Sequence, residues 1–363
     1  MPYCRRCGAK LDDDAKYCYR CGTSVVMQPL TEALAQPAPA PFRSEPAPLR
    51  RNPFFIPIII IIVVAVSALI IAIVLSAPLV PVDFEDSSQI NQPNVNRLNL
   101  DFHADIGEIN VFTNLTDATV VIDVSASGST NVFRSNEPKF TVENSTVADG
   151  EMVTARLTTD SAPFAGNMKV VCNIYVNPTL DLILNVRSDV GEVKMNADSQ
   201  AKIDSLRLET AVGNTRLNVN KDAVVNGDIA LKTATGTVWF KMDHAHVNGN
   251  VTFDLGSGTG SVNMNVNQPG QLNGNVQVNA HTGTGDVNLN RLLIDGEVGA
   301  RIESDAGIGQ VTTDLHNFSG NQSPLSSNNY PSESNISLNL STGIGSIHVV
   351  AAYSTSAVPT LRN

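Results

Sequence analysis

The chain has 363 residues and a formal net charge of −11, and this charge is divided unevenly along its length. Residues 1–55 carry 8 basic and 5 acidic residues, whereas the remainder carries 16 basic and 30 acidic residues. The acidic composition of the longer part argues against a nucleic-acid surface and against binding to anionic lipid. The length suffices for two or more domains, and few aromatics beside abundant Gly, Asn, Val and Thr favour short strands over helices.

Four of the five cysteines fall within the first 21 residues, in the pattern C-x2-C-x10-C-x2-C. Each C-x2-C pair is followed by a glycine, which permits a positive backbone φ as the chain leaves the turn. Four thiolates suit a closed, tetrahedral, structural Zn²⁺ site, and the segment is too short to bury a core without a metal. The predicted zinc ligands are Cys4, Cys7, Cys18 and Cys21.

A redox dithiol and a disulfide pair are the alternatives for these cysteines. A redox site would need only one C-x2-C pair, and a cytoplasmic location disfavours disulfides. Residues 1–24 resemble the short zinc-ribbon domain found at the N-terminus of many prokaryotic membrane proteins. That resemblance implies a structural zinc ion, and four cysteine ligands leave no open catalytic position.

Residues 25–53 are rich in proline and predict a semi-rigid spacer of polyproline II character. Residues 54–77 contain no charge, and 24 helical residues span about 36 Å, enough to cross a hydrocarbon core of about 30 Å. Arg50 and Arg51 precede this stretch and Asp83 follows it, so the positive-inside rule places the N-terminus in the cytoplasm. A cleaved signal peptide is the competing interpretation, but its apolar core would be shorter and closer to the N-terminus.

A pattern with a glycine at a strand junction recurs through residues 187–351, for example SGTGSVNMNV and TGTGDVNLN. The junction glycines are spaced by 22, 23, 24, 25, 24 and 36 residues, with the last interval lengthened by a Ser- and Asn-rich insertion. A fixed period of this length is typical of a stacked repeat array. The seven junction glycines are Gly191, Gly213, Gly236, Gly260, Gly285, Gly309 and Gly345.

Apolar and polar residues alternate within these strands, as in Val262, Met264 and Val266 against Asn263 and Asn265. A single repeat, which forms one coil of the array, cannot bury its apolar side chains alone. Stacking the coils about 4.8 Å apart would bury these side chains in one continuous core. We therefore predict an all-β ectodomain whose core is a parallel β-helix-like solenoid, of undetermined hand. An antiparallel sandwich is the alternative.

Residues 83–186 fit the repeat less well and predict an irregular, strand-rich part that caps the open end of the array. Residues 352–363 form a tail. Cys172 lies in the apolar run VVCNIYV, which favours a buried small hydrophobe over an intermolecular disulfide.

Residues 95–350 resemble the "putative adhesin" domain family of unknown function, which is related to the C-terminal domain of cell-wall-stress regulators. The resemblance is carried by ADIGEINV, DLILNVRSDVGEVKMN, LRLETAVGNTRLNV and the TGxG repeats. It implies a β-solenoid on the outer face of the membrane, with adhesive, sensory or regulatory roles and no established catalytic residues.

The sequence therefore predicts a non-catalytic, single-pass membrane protein, with Zn²⁺ in the cytoplasm and a solenoid outside that binds an envelope polymer or a surface protein. A first rival is an envelope-stress sensor that signals through a cytoplasmic protein partner at the zinc ribbon. A second rival is a glycan-active enzyme, for which the densest charged group is Glu297, Arg301, Glu303 and Asp305. His244 and His246 form a candidate metal half-site. No nucleic-acid partner is expected.

Overall fold

The computed structural model describes residues 79–354, with gaps at 116, 132–137, 148–149, 160–167, 270–271 and 321–322. Nearer the N-terminus it describes Cys4, Ala9, Lys10, Tyr17, Cys18, Arg20, Cys21, Val66 and Ser67. The chain divides into two compact units, Met1–Ala68 and Leu69–Asn363. The described residues contain no helix that is both long and apolar enough to span a bilayer. The predicted span 54–77 lies outside the described residues, apart from the helical Val66 and Ser67, and so does the linker 25–53.

The second unit consists of β-strands, which confirms the all-β prediction. In chain order the strands are β1 Leu79–Ile90, β2 Arg97–Ile106, β3 Glu108–Phe112, β4 Val120–Asn131, β5 Lys139–Val147, β6 Gly150–Thr158, β7 Lys169–Val176, β8 Asp181–Val190, β9 Val193–Ala197, β10 Lys202–Val212, β11 Thr215–Val219, β12 Val224–Val225, β13 Ile229–Thr235, β14 Val238–Asp243, β15 His246–Val247, β16 Val251–Thr259, β17 Val262–Gln268, β18 Val276–Thr284, β19 Val287–Ile294, β20 Val298–Ile308, β21 Val311–His316, β22 Phe318–Ser319, β23 Leu325–Ser327, β24 Ser334–Ile344 and β25 Ile347–Tyr353.

These strands form two large sheets, and each repeat contributes one strand to each of them. The eleven-stranded sheet has the order β1-β4-β7-β3-β9-β11-β14-β17-β19-β25-β21. The fourteen-stranded sheet runs β22-β23-β20-β24-β18-β16-β13-β10-β8-β2-β6-β5, with β12 and β15 off this path. Successive repeats pair in parallel in both sheets, as the repeat pattern predicts. Antiparallel pairing among the described strands is confined to the ends of the sheets.

A glycine stands at eight of the passages from the larger sheet to the smaller one. All eight such corner glycines have positive φ, between +132° and +151°, a region that side chains disfavour. In stacking order they are Gly107, Gly191, Gly213, Gly236, Gly260, Gly285, Gly345 and Gly309.

The stacking order departs from the chain order near the C-terminal end. The β24–β25 repeat lies between the β18–β19 repeat and the β20–β21 repeat. The insertion before β24 allows this reversal, since its strand β23 turns back and pairs antiparallel with β20. The sequence repeat alone does not predict the exchange, because every coil presents the same edge pattern to its neighbours.

The space between the two sheets is filled by the inward residues of each strand. Val262, Met264 and Val266 are all fully buried, as their alternation with polar residues predicts. Phe240 and Phe253 contact each other from opposite sheets, with ring centroids 5.0 Å apart. At the N-terminal end, β1, β4 and β7 extend one sheet by antiparallel pairing, and β5 and β6 extend the other.

Candidate functional site

Three of the four predicted zinc ligands converge in the first unit. The Sγ atoms of Cys4, Cys18 and Cys21 lie within 4.8 Å of one another, and those of Cys4 and Cys21 are 3.6 Å apart. Zn–S bonds of about 2.3 Å place tetrahedral sulfur ligands roughly 3.8 Å apart, so the cluster fits a zinc ion. The Cys4 amide N–H donates to the Ala9 carbonyl at 2.8 Å, which ties the first ligand to the backbone five residues later. Cys7, the fourth predicted ligand, lies outside the described residues.

The fifth cysteine, Cys172, belongs to the core of the second unit. Its side chain is fully buried on β7, which confirms its predicted role as a small core residue. Burial raises the pKa of the Cys172 thiol to about 12. Because the thiolate is the reactive form, this cysteine is shielded from disulfide exchange.

A second group of metal-ligating side chains, absent from the sequence prediction, lies on β2 and β8. His103, Asp105 and Asp189 have donor atoms within 4.8 Å of one another. Asp105 already accepts the Thr159 amide N–H at 2.9 Å, and a guanidinium nitrogen of Arg156 lies 3.9 Å from it. His103 Nε2 lies 3.2 Å from Asp189, so the group is a surface network of polar contacts within the chain.

The other candidate residues remain dispersed. His244 pairs with Asp243, at 2.7 Å, and His246 pairs with Asp222, at 3.6 Å. Among the described residues, neither histidine joins a cluster of three metal-ligating side chains. Arg301 pairs with its own-strand neighbour Glu303, as expected for a solvated charged surface.

The outward face of the eleven-stranded sheet carries two adjacent rows of polar side chains across β9, β11, β14, β17 and β19. Each row runs perpendicular to the strands, and its members are cross-strand neighbours in register. The first row is Lys194, Arg216, Trp239, Asn263 and Asn288. The second row is Asn196, Asn218, Lys241, Asn265 and Arg291. We call these ten residues the amide face.

Trp239 is the single tryptophan of the chain and lies at the centre of the amide face, 38% exposed. The Arg216 guanidinium carbon lies 5.5 Å from the centroid of its ring, a cation–π contact. The pairing follows from the repeat, since Arg216 and Trp239 each stand three residues after a corner glycine. Aligning the repeats by their glycines would have found this pair in the sequence.

Two asparagine–asparagine hydrogen bonds connect neighbouring strands of the face. Asn218 Nδ2 donates to Asn196 Oδ1 at 2.7 Å, and Asn288 Nδ2 donates to Asn263 Oδ1 at 3.0 Å. Each bond joins the Nδ2 of one asparagine to the Oδ1 of the next. The Oδ1 of the first side chain and the Nδ2 of the second take no part in that bond. The face therefore offers both donors and acceptors at regular spacing.

Comparison with known proteins identifies the N-terminal module. Residues 3–25 match the zinc-ribbon domain family, so the chain carries an N-terminal zinc ribbon, as its cysteine spacing predicts. No curated protein sequence matches the chain.

The solved structures similar to the chain include proteins described as putative adhesins. One is a "putative cell adhesion protein" from Clostridium sporogenes, 14% identical, with a TM-score of 0.38 over 74% of this chain and 99% of that one. Another is a "putative adhesin" from Bacteroides fragilis, 13% identical, with a TM-score of 0.28 over 76% of this chain and 98% of that one. Both TM-scores fall below 0.5, so these likenesses establish neither the fold nor the role of this chain.

Proposed function

We propose that this chain is a non-catalytic, membrane-anchored surface protein whose outer module binds a polymer or protein of the cell envelope. The observation that carries the binding role is the amide face, a continuous array of polar side chains repeated on five neighbouring strands. Such an array presents a flat binding surface without a converging set of catalytic groups.

In this proposal the outer module is a β-solenoid formed by residues 187–351 and capped by residues 83–186. The alternation of the chain between two sheets of parallel strands supports the solenoid. The antiparallel strands at the N-terminal end support the cap, because they cover edges that would otherwise pair with another chain.

The anchor is the uncharged segment 54–77, which leaves the zinc ribbon in the cytoplasm and the solenoid outside. The proposal rests here on the sequence, since the segment is long enough to span a bilayer and basic residues precede it. The ribbon would be held by a Zn²⁺ ion on Cys4, Cys7, Cys18 and Cys21.

A direct test compares cells that express the full chain with cells that express a variant lacking residues 79–354. We expect only the full chain to increase retention of cells on immobilised envelope material from the same organism. Equal retention of both would contradict the proposed binding role. Turnover of the envelope glycan by the purified chain would contradict the non-catalytic part.

A second candidate function is signalling of envelope state through a cytoplasmic partner of the ribbon. The observation that favours it is Tyr17, which is 66% exposed next to the buried Cys18. Exposed tyrosines are enriched at protein interfaces. Capture of a specific cytoplasmic protein by the full chain, lost in Tyr17→Ala with zinc retained, would support this function. Capture unaffected by Tyr17→Ala would contradict a contact at this residue.

A further inference from the structure

The amide face differs in charge from the rest of the chain. The chain as a whole has a net charge of −11, yet the ten residues of this face include four cations and no acid. Two of the cations, Arg216 and Arg291, have no carboxylate within ion-pairing distance among the described residues. Lys194 is neutralised by Glu108 and Glu192, each at 2.9 Å, and Lys241 lies 3.5 Å from Asp243.

The opposite sheet shows that this charge pattern is specific to one face. On the fourteen-stranded sheet, Arg207 pairs with Glu209 and Lys232 pairs with Asp254, both at 2.6 Å. Each arginine on the described strands of that sheet lies within ion-pairing distance of a carboxylate. Two guanidinium groups without ion pairs therefore distinguish the amide face.

We propose that the amide face binds an acidic polysaccharide, with Trp239 and Arg216 at the centre of the site. This inference rests on the proposed function and names the chemical class of its envelope ligand. The five strands span about 19 Å at about 4.8 Å per strand, so a polymer lying across them would meet several repeats at once.

The side chains of the face match the chemistry of such a polymer. Sugar rings combine an apolar C–H side with hydroxyl groups around their rim. An exposed indole offers an apolar platform for the C–H side, and the asparagine amides offer donors and acceptors for the hydroxyls. Arginine suits the carboxylate of a uronic acid, because its planar fork can donate two parallel hydrogen bonds.

The net negative charge of the chain does not prevent this contact. At physiological ionic strength the Debye length is about 8 Å, so charges on distant surfaces are largely screened. Arg216 and Arg291, the two cations of the face without ion pairs among the described residues, then provide the local attraction for a carboxylate. The same argument predicts that binding weakens as salt concentration rises.

The test uses the full chain in detergent micelles with polygalacturonate as the acidic polysaccharide and dextran as the neutral one. Because Trp239 is the single tryptophan, its fluorescence reports on this face alone. We expect polygalacturonate, and not dextran, to change that fluorescence and to co-sediment with the chain. Co-sedimentation should weaken about tenfold in Arg216→Gln and in Trp239→Ala, the loss expected for one charged contact or aromatic anchor.

Two variants separate binding from folding. Arg207→Gln, on the opposite sheet, should bind polygalacturonate as the unaltered chain does. Trp239→Phe keeps an aromatic ring and should retain more binding than Trp239→Ala, with both unfolding at similar urea concentrations.

Several results would overturn the inference. Equal binding of dextran would contradict the role of charge, and undiminished binding in Arg216→Gln and Trp239→Ala would place any site elsewhere. Binding of phosphatidylglycerol vesicles or DNA in place of polygalacturonate would assign the face to another class of partner. If polygalacturonate fails to bind while the chain still retains cells on envelope material, the inference fails and the proposed function stands.

Discussion

A Cβ atom built on Gly213 would lie 1.7 Å from the carbonyl oxygen of Gly191, the corner glycine of the preceding repeat. The two residues are 22 positions apart in the sequence, so the repeat brings its corners into backbone contact. The same close approach recurs between Gly236 and Gly213 and between Gly285 and Gly260. It gives a steric reason, beside the positive φ, for a glycine at seven of the eight corners, Gly107 being the exception.

Replacing a central corner glycine should therefore destabilise the second unit strongly. In Gly236→Ala, the new methyl would meet the Gly213 carbonyl oxygen at 1.7 Å and would also stand at a φ of +146°. Backbone strain and overpacking together should cost at least about 3 kcal/mol. Urea unfolding of the full chain measures this loss.

The control is Gly249→Ala, because Gly249 has a φ of +76° with nothing within 4 Å of an added Cβ. Only the conformational cost remains there, about 1 kcal/mol. Equal losses in the two variants would show that the column of corner glycines is not sterically required.

Glu151 should be a site where substitution stabilises the protein. Its side chain is fully buried on β6, and neither carboxyl oxygen has a hydrogen-bond partner among the residues that the structure describes. A buried carboxyl group without partners costs free energy, so Glu151→Met should raise the free energy of unfolding by about 2 kcal/mol. Glu143→Met on the neighbouring strand β5 replaces an exposed carboxylate and should change it little. A loss of stability in Glu151→Met would mean that this carboxyl group has a favourable partner in solution.

The stability of the second unit should depend on pH through Glu108 and Lys194. The hydrogen bond from the Lys194 ammonium, at 2.9 Å, holds the pKa of Glu108 below its ordinary value of 4.5. A depressed carboxyl pKa adds stability that is present above the unfolded-state pKa and is lost as the pH falls through the folded-state pKa. Lys194→Gln should therefore lower the unfolding free energy at pH 7, by less than about 1 kcal/mol because the pair is partly exposed.

This difference should disappear as the pH is lowered below the folded-state pKa of Glu108. Comparing urea midpoints at several pH values measures it, with Lys221→Gln, at an exposed turn, as the control. A difference that persists unchanged into acid would show that Lys194 acts through packing and not through its charge.

The zinc ribbon should bind one zinc ion per chain. Cys18→Ser should abolish stoichiometric zinc in the purified protein, because a structural site needs all its thiolates. Cys172→Ala should leave the zinc content unchanged, since that cysteine is buried in the core of the other unit. Elemental analysis of the two variants measures this, and retained zinc in Cys18→Ser would exclude Cys18 as a ligand.

The repeat made much of the second unit predictable from the sequence. A period set by glycine and an alternation set by burial predict the corners and the inward residues, as Gly260 and Met264 show. The position of Gly345 ahead of Gly309 in the stack was not predictable, because equivalent coil edges pair equally well. The Trp239–Arg216 contact could be predicted only by aligning the repeats in register. In the His103 group, Asp105 and Asp189 stand two positions before a corner glycine, where later repeats have small residues such as Ala211.

A cysteine-labelling experiment tests most directly the proposal that a bilayer separates the zinc ribbon from a β-solenoid. Lys221→Cys places a thiol at an exposed turn of the second unit, and Gln36→Cys places one in the proline-rich segment. The native Cys172 should remain unlabelled in folded protein because its thiol pKa is about 12. We predict that a membrane-impermeant maleimide labels Lys221→Cys in intact cells and labels Gln36→Cys only after permeabilisation. Labelling of Gln36→Cys but not Lys221→Cys in intact cells would contradict the proposed arrangement.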